Sequence, residues 1–286
     1  MSSANRGCRC SRPKCSDFGF GGASPSMFVT AQCPMHYGVY LAYRLLITLY
    51  MFGYFLYVFI VSVRPGGIYG GYFFIYLTNW GYILMLVYLF CALWNIIVYA
   101  AIMKPAGWTT GDDIPWYFFH RGQWFLFNTY ASVAILLSLL YWGALYTPGT
   151  VDIYYDINFH FLNGFIALFE IFFSAMVIHI LHFVYPFMFA VAYIVFVAIY
   201  HGAMGTDEEG NPYIYPILDF GQAPALSAGL CVGAIVGVVL VHILIVWGFH
   251  KLKILIFDSC CPSCFPDEDT REDGNEAHEL KADAAV

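Results

Sequence analysis

Long apolar runs, separated by short polar segments rich in glycine and proline, dominate the pattern of this chain. Each run can cross a hydrocarbon core of about 30 Å as a helix that rises about 1.5 Å per residue. Neither the period-2 pattern of a half-buried strand nor the period-3.6 pattern of a soluble amphipathic helix is prominent. We predict an all-α integral membrane protein, a six-helix transmembrane bundle. The predicted spans are residues 40–63, 72–103, 124–146, 158–183, 185–203 and 225–249.

Composition supports this prediction and excludes several function classes. Hydrophobic residues make up 60% of the chain and charged residues 11%, whereas a soluble domain carries about 25% charged residues. The net charge is −7, and there is no large basic surface, which argues against a nucleic-acid partner. The first residues are polar and show no signal peptide. We divide the chain into a cytoplasmic tail rich in cysteine and basic residues (1–38), a transmembrane bundle (39–250) and an acidic, disordered cytoplasmic tail (251–286).

The distribution of positive charge predicts the orientation of the bundle. Lysine and arginine residues precede the first span, lie between the second and third spans, and follow the sixth. The connections 147–157 and 204–222 contain neither residue. Because basic residues favour the cytoplasmic side, we expect both termini in the cytoplasm, in a plasma-membrane or endoplasmic-reticulum protein.

Cysteines next to the bundle add one further expectation. Their position beside basic residues favours reversible palmitoylation, with zinc binding and unmodified thiols as the alternatives. The cysteines concerned are Cys8, Cys10, Cys15, Cys33, Cys260, Cys261 and Cys264.

The fourth predicted span carries an unusual stripe of polar residues. On a helical wheel of about 100° per residue, five of them share an arc of about 120°, and His179 lies outside it. Ionisable side chains that face lipid cost several kcal/mol, so the stripe is expected to face the interior. An interior cavity is the functional interpretation, and a hydrogen-bonded packing seam is the structural one. The five residues are His160, Asn163, Glu170, Ser174 and His182.

A first candidate site lies in the outer half of the bundle. A hydroxyl, an imidazole and an acid or amide are the groups that nucleophilic acyl transfer needs. Five further polar residues reach this depth together with His160, and Glu170 lies deeper, near mid-membrane. The predicted catalytic set is Thr78, Asn79, His160, Asn163, Glu170, His201 and Asp219.

A second candidate site lies near the cytoplasmic side. His179, His182 and His242 could bind a catalytic zinc through three neutral imidazoles with one open position. The alternative, which we favour, is that these histidines bond to backbone carbonyls. His160 and His182 would lie about 33 Å apart on one straight helix, so they cannot share a metal unless the span is broken.

Three stretches of the second half of the chain resemble the rolling stone family, multispan proteins associated with myoblast fusion in insects. They are HFLNGFIALFE over residues 160–170, HFVYP over 182–186, and GTDEEGNPYIYPILDF over 205–220. The resemblance implies a multispan membrane protein with a role in cell fusion.

That family is in turn similar to the androgen-induced and androgen-dependent hydrolases, which cleave fatty acid esters of hydroxy fatty acids with an intramembrane threonine and histidine. Their F-L-T motif matches YLT over residues 76–78, and their histidine ten residues before an acid matches His160 with Glu170. Their Y-P-F-L-E stretch matches YPILD over residues 215–219. The spacing from Glu170 to Pro186 is longer than in those relatives. This similarity implies Thr78 as nucleophile and His160 as base.

Three functions follow from these patterns. The first is an intramembrane hydrolase for a fatty acyl ester or amide, which uses either the threonine and histidine or a zinc-bound water. The second is a non-enzymatic membrane protein of cell fusion. The third is a transporter, which the lack of broken-helix repeats disfavours.

Overall fold

The structure, a computed structural model, describes residues 18–20, 24–33, 35–64, 71–108, 114–115, 117–148 and 153–260. Residues 258–260 are described by their backbone alone. Residues 261–286 of the predicted acidic tail and most of the cysteines predicted to be palmitoylated lie outside the described residues. The cysteines outside are Cys8, Cys10, Cys15, Cys261 and Cys264, together with the side chain of Cys260. The prediction of a disordered tail is wrong for residues 251–257, which continue the last helix.

Within the described residues, six helices are long and apolar enough to span a membrane, which confirms the predicted fold class. Five of their apolar runs correspond to predicted spans, and the fourth helix ends earlier than predicted. The helices are α1 (Tyr37–Val63), α2 (Leu77–Met103), α3 (His120–Leu145), α4 (Ile153–Phe173), α5 (Ile180–Gly202) and α6 (Pro224–Phe257).

Successive helices run in opposite directions. At one end of the bundle Asn95, late in α2, donates from its Nδ2 to Gln123 Oε1, early in α3, over 2.7 Å. At the opposite end Tyr141, late in α3, donates to Asp156, early in α4. We call the end where α1 begins and α6 finishes the terminal end, and the opposite end the loop end.

Helices α2, α3 and α4 lie at the centre of the bundle, where other parts of the protein surround them. Buried residues make up 50% of the most apolar stretch of α2, 61% of that of α3 and 56% of that of α4, against 22% in each of the other helices. The aromatic side chains Tyr82, Tyr88, Trp124 and Phe127 fill the space between them and are fully buried. The buried polar residues on α2, α3 and α4 are therefore shielded from lipid by protein.

Four of the spans contain a π-helical turn. Such a turn inserts one extra residue into the helix and is frequently found at functional sites. His160 lies in the turn Ile157–Phe161 of α4, and His242 lies in the turn Val241–Val246 of α6. The other two turns are Tyr99–Met103 and Tyr141–Leu145.

The prediction of one continuous fourth span over residues 158–183 is wrong. Helix α4 ends at Phe173, and residues 174–179 are extended before the 3₁₀ turn Ile180–Phe183 begins α5. The N-terminal segment 24–33 lies beside this extended stretch. Gln32 N donates to the Phe173 carbonyl over 2.8 Å, and Ala175 N donates to the Thr30 carbonyl over 3.1 Å. Part of the region predicted as a tail is therefore packed on the bundle.

Side chains from α3 and α6 donate hydrogen bonds to backbone carbonyls in the rest of the extended segment. Trp124 Nε1 donates to the Val177 carbonyl over 2.6 Å. Lys253 Nζ donates to the carbonyls of Ser174 and Met176 over 3.0 and 3.2 Å. Unwound backbone near membrane depth is tolerated only where protein satisfies its polar groups, and these bonds do so.

Helix α6 is long enough for its last turns to reach the extended segment 174–179. Its 34 residues extend about 51 Å, well beyond a hydrocarbon core of about 30 Å. The last turns of α6 run beside the end of α4, where the Phe249 ring packs on Phe172 at a centroid distance of 5.7 Å. His250 and Lys253 lie in these last turns of α6 and are 3% and 1% exposed.

Candidate functional site

His160 lies in the π turn of α4 near the loop end and is 6% exposed. Its ring stacks face to face on Tyr141 of α3, with centroids 3.4 Å apart and planes 5° apart. Ser138 Oγ, one turn earlier in α3, donates to the His160 backbone carbonyl. Among the described residues, His160 Nδ1 has no hydrogen-bond partner. A buried imidazole is thus fixed in orientation while one ring nitrogen remains available.

Asn163 follows His160 by one turn and is 1% exposed. Tyr130 donates to its backbone carbonyl over 2.9 Å, but no described residue bonds to its side-chain Oδ1 or Nδ2. On the facing helix α2, a Cβ added to Gly81 would lie 3.9 Å from Asn163 Nδ2 and 2.5 Å from a methyl of Leu137. The glycine therefore permits the close approach of α2 to α3 and α4 at this level.

Thr78 and Asn79 lie in the first turn of α2, at the loop end. Asn79 Nδ2 donates to the Phe73 carbonyl over 2.6 Å, while its Oδ1 has no partner in the described part of the chain. Thr78 is half-buried. At about 100° per residue, Thr78 falls between Gly81 and Tyr82 on the helix surface, and these two residues face α4.

From the register of α2 and α4, we infer that Thr78 and His160 lie at similar depth in the bundle. Both α2 and α4 run from the loop end toward the terminal end, and Gly81 lies beside Asn163. Thr78 precedes Gly81 by about one turn, as His160 precedes Asn163. We call Thr78, Asn79, His160 and Asn163 the loop-end cluster. Most buried polar side chains have a partner, so several unpaired atoms in one cluster are unusual.

Glu170 lies elsewhere, one turn before the end of α4, in a network of its own. Its Oε1 accepts from Arg44 Nη1 of α1 over 2.8 Å, and both side chains are completely buried. Tyr88 donates to Oε2 over 2.7 Å, and Tyr43 also donates to Oε1. The interior orientation predicted for Glu170 is observed, but its oxygens are fully engaged by protein and it does not join the loop-end cluster.

Sequence reasoning missed Arg44, the partner of Glu170. A signal was present, because an arginine within the apolar run LAYRLL is costly in lipid and marks an interior partner or a functional site. The hydroxyls of Tyr40 and Tyr88 also lie within hydrogen-bond distance of its guanidinium. A buried charge pair with this many hydrogen bonds is a structural element of the bundle.

His201 and Asp219 lie at the loop end but have other roles. Asp219 Oδ1 accepts from the backbone N–H groups of Gly221 and Gln222 over 2.9 and 3.0 Å, which forms the turn that leads into α6. His201 is exposed, and its ring packs on Phe220 at a centroid distance of 5.2 Å. Neither residue is brought into the loop-end cluster by any of these contacts.

The predicted wheel positions of Ser174, His179 and His182 are wrong, because the helix that would carry them ends at Phe173. Ser174 Oγ donates to the Glu170 carbonyl over 2.8 Å, as a helix-terminal serine commonly does. His182 lies at the terminal end, where its Nε2 is 3.3 Å from the Gly19 carbonyl and its ring packs on Trp124. The break leaves His160 and His182 at opposite ends of the bundle.

The three histidines predicted to bind zinc gather near the break without forming a metal site. His242 Nε2 lies 3.1 Å from the His179 carbonyl, and His242 Nδ1 lies 3.0 Å from Ser132 Oγ. The His179 and His182 rings pack at a centroid distance of 5.1 Å. In the described part of the chain, no group of three histidine, cysteine or acidic side chains is arranged to hold a metal. His242 instead bonds to a carbonyl, as in the alternative that we favoured.

An apolar groove opens between α2 and α5, on the side of α2 opposite the loop-end cluster. It has a volume of about 410 Å³. Trp80 lies at its loop end, two residues after Thr78, and its indole N–H donates to the Phe74 carbonyl over 2.7 Å. The lining includes Trp80, Ile83, Leu84 and Val87 of α2 and Phe189 and Phe196 of α5.

Comparisons with known proteins agree with the resemblance seen in the sequence. A family model described as "Protein rolling stone" matches residues 11–265. A Drosophila melanogaster protein, "Protein rolling stone", is 29% identical over 231 residues, which cover 75% of this chain and 78% of the relative. No solved structure matches the chain significantly. The family match includes all six spans, so this chain is a multi-pass integral membrane protein that belongs to the rolling stone family.

Proposed function

We propose that this protein is an intramembrane hydrolase that cleaves a fatty acyl ester or a fatty acyl amide lipid. One observation carries the proposal: the imidazole of His160 and the side-chain amide of Asn163 are buried in a membrane-spanning helix, with polar atoms to which no described residue bonds. Leaving a buried polar group unpaired costs about 1 to 3 kcal/mol, so such atoms in one cluster are expected to meet a polar ligand.

The groups of the loop-end cluster suit acyl transfer. Thr78 Oγ would attack the acyl carbonyl while His160 takes the hydroxyl proton, and the carbonyl electrons move onto the oxygen. Asn163 Nδ2 could donate to this oxyanion. His160 then returns the proton to the leaving alcohol or amine, and an acyl-threonine remains. Water, deprotonated by His160, hydrolyses that ester, and the threonine regains its proton as the fatty acid leaves.

The groove between α2 and α5 could hold an acyl chain against the outside of α2. Its apolar lining lies along the helix that carries Thr78, and each methylene buried there contributes about 0.8 kcal/mol. Because the groove and the Thr78 side chain lie on opposite sides of α2, a chain in this groove would not present its carbonyl to Thr78.

A hydrolysis assay tests the proposal. Purified protein in lipid nanodiscs is incubated with a panel of fatty acyl esters and N-acyl amino acids, and released fatty acid is measured. We expect turnover in wild type and its loss, by about 100-fold or more, in Thr78→Ala and His160→Gln.

Two matched variants control for loss of fold. Thr30→Ala removes an exposed threonine hydroxyl that donates to the Ser26 carbonyl. His36→Asn keeps a cap for the Gly38 N–H at the start of α1. Both are expected to retain wild-type turnover. Retention of activity in Thr78→Ala and His160→Gln would reject the mechanism, and a wild type inactive on the whole panel would reject the hydrolase.

The second candidate is a non-enzymatic membrane protein of cell fusion, which the family resemblance implies. The pairing of Glu170 with Arg44 favours it, because this part of the polar stripe is a hydrogen-bonded packing seam. An inactive wild type that still supports fusion in cells would favour this candidate.

A further inference from the structure

Tyr141 links His160 to a second buried residue, Asp156. The phenol ring covers the imidazole of His160, and the phenol hydroxyl donates to Asp156 Oδ1. Asp156 is 2% exposed and lies one turn before His160 in α4. Tyr141 begins the π turn of α3, and His160 lies within the π turn of α4. The three residues therefore join two irregular turns across the interface between α3 and α4.

We infer that Tyr141 and Asp156 are positioning residues that hold the His160 ring for its reaction. The stack fixes the plane of the imidazole, and the bond to Asp156 fixes the plane of the phenol. Ser138 Oγ holds the His160 backbone from the same helix as Tyr141. The consequence for catalysis rests on the proposed hydrolase function, whereas the placement of the ring does not.

The stack also suits the intermediate charge of the reaction. Two neutral aromatic rings prefer an offset or edge-to-face contact, whereas a cation is attracted to the face of a tyrosine. His160 becomes an imidazolium when it takes the proton of Thr78. The phenol face and the carboxylate of Asp156 would then lie on one side of the new positive charge, and the low dielectric of the interior strengthens both interactions.

Histidine NMR tests the placement independently of activity. Protein with histidine labelled at Cε1 is studied in nanodiscs, and the His160 signal is identified by its loss in His160→Gln. The ring of Tyr141 should shift this signal upfield in wild type. We expect the shift to persist in Tyr141→Phe, which keeps the ring, and to disappear in Tyr141→Leu. An unchanged signal in Tyr141→Leu would overturn the proposal.

Kinetics test the consequence for the reaction. Tyr141→Leu is expected to lower kcat about tenfold or more with little change in KM, because small displacements of a catalytic group are costly. The kcat values of Tyr141→Phe and Asp156→Asn should lie between that of Tyr141→Leu and that of wild type. Tyr57→Phe, at a tyrosine that is 63% exposed on α1, is the control and should match wild type.

The two proposals fail in different ways. An inactive wild type whose His160 signal depends on Tyr141 rejects the hydrolase and supports the positioning role. An active wild type with unchanged kcat in folded Tyr141→Leu protein keeps the hydrolase and overturns the positioning role.

Discussion

Arg44 Nη1 and Glu170 Oε1 lie 2.8 Å apart, and neither side chain has any exposed surface. They come from the first and fourth spans, and hydroxyl groups of the surrounding tyrosines bond to the pair. Removing one partner would leave an unpaired charge in the interior. Removing both would replace the pair by apolar packing.

A double-mutant cycle at this pair should therefore be strongly non-additive. Arg44→Met and Glu170→Met are each expected to lower the free energy of unfolding by about 3 to 5 kcal/mol. The double variant should lose less than either single variant. Unfolding in detergent, followed by circular dichroism, measures these values. Arg64→Met, at an exposed position just after α1, should behave as wild type, and strict additivity would contradict the structural role.

Lys253 is expected to hold the break between α4 and α5. Lys253→Met removes the donor to the Ser174 and Met176 carbonyls and should lower the free energy of unfolding by about 2 to 4 kcal/mol. Lys251→Met, an exposed neighbour on the same helix, is the matched control. Faster hydrogen exchange over residues 174–179 should accompany the first substitution only. Equal stability of the two variants would show that other contacts hold the break.

Gly164 allows α4 to approach α3 next to His160. A Cβ at this position would clash with Ser138, whose Oγ donates to the His160 carbonyl. Gly164→Ala should therefore cost about 1 to 3 kcal/mol through overpacking and should also lower hydrolytic turnover. Gly233→Ala is the control, because its Cβ would enter open space on α6. A stable, fully active Gly164→Ala protein would contradict the close packing around His160.

Purified protein is expected to contain far less than one zinc ion per chain. The reason is that His242 directs its ring nitrogens to the His179 carbonyl and to Ser132, so it is not free to bind a metal. Elemental analysis by mass spectrometry measures the metal content, and a chelator should leave turnover unchanged. Stoichiometric zinc that is lost in His242→Gln would contradict this assignment and revive the metal-dependent mechanism.

Part of the candidate site was accessible from the sequence. The stripe on the fourth span predicted that His160, Asn163 and Glu170 face the interior, and all three are buried. The prediction could not separate their roles, because a wheel gives direction and not partners. Arg44, which engages Glu170, lies in a different helix. Asp156 lies one helical turn before His160 in the sequence, but no sequence pattern connects Tyr141 to either residue.

The break after Phe173 shows the limit of reading a single segment. The stretch AMVIHILHF over residues 175–183 is as apolar as a membrane-spanning helix. The one unusual feature of this region was the spacing from Glu170 to Pro186, which is longer than in the similar hydrolases. What keeps the backbone extended is a set of donors from other helices, chiefly Trp124 and Lys253. These donors are remote in sequence, so no local pattern could predict the break.

The number of spans, the family and the buried face of the fourth span were determined by the sequence alone. Each depends on a local property: enough consecutive apolar residues to cross lipid, and a high cost for polar groups that face it. Tertiary structure decided which charge Glu170 meets, where α4 ends, and that Tyr141 covers His160. Those outcomes depend on contacts between helices, and such contacts form only when the spans pack together.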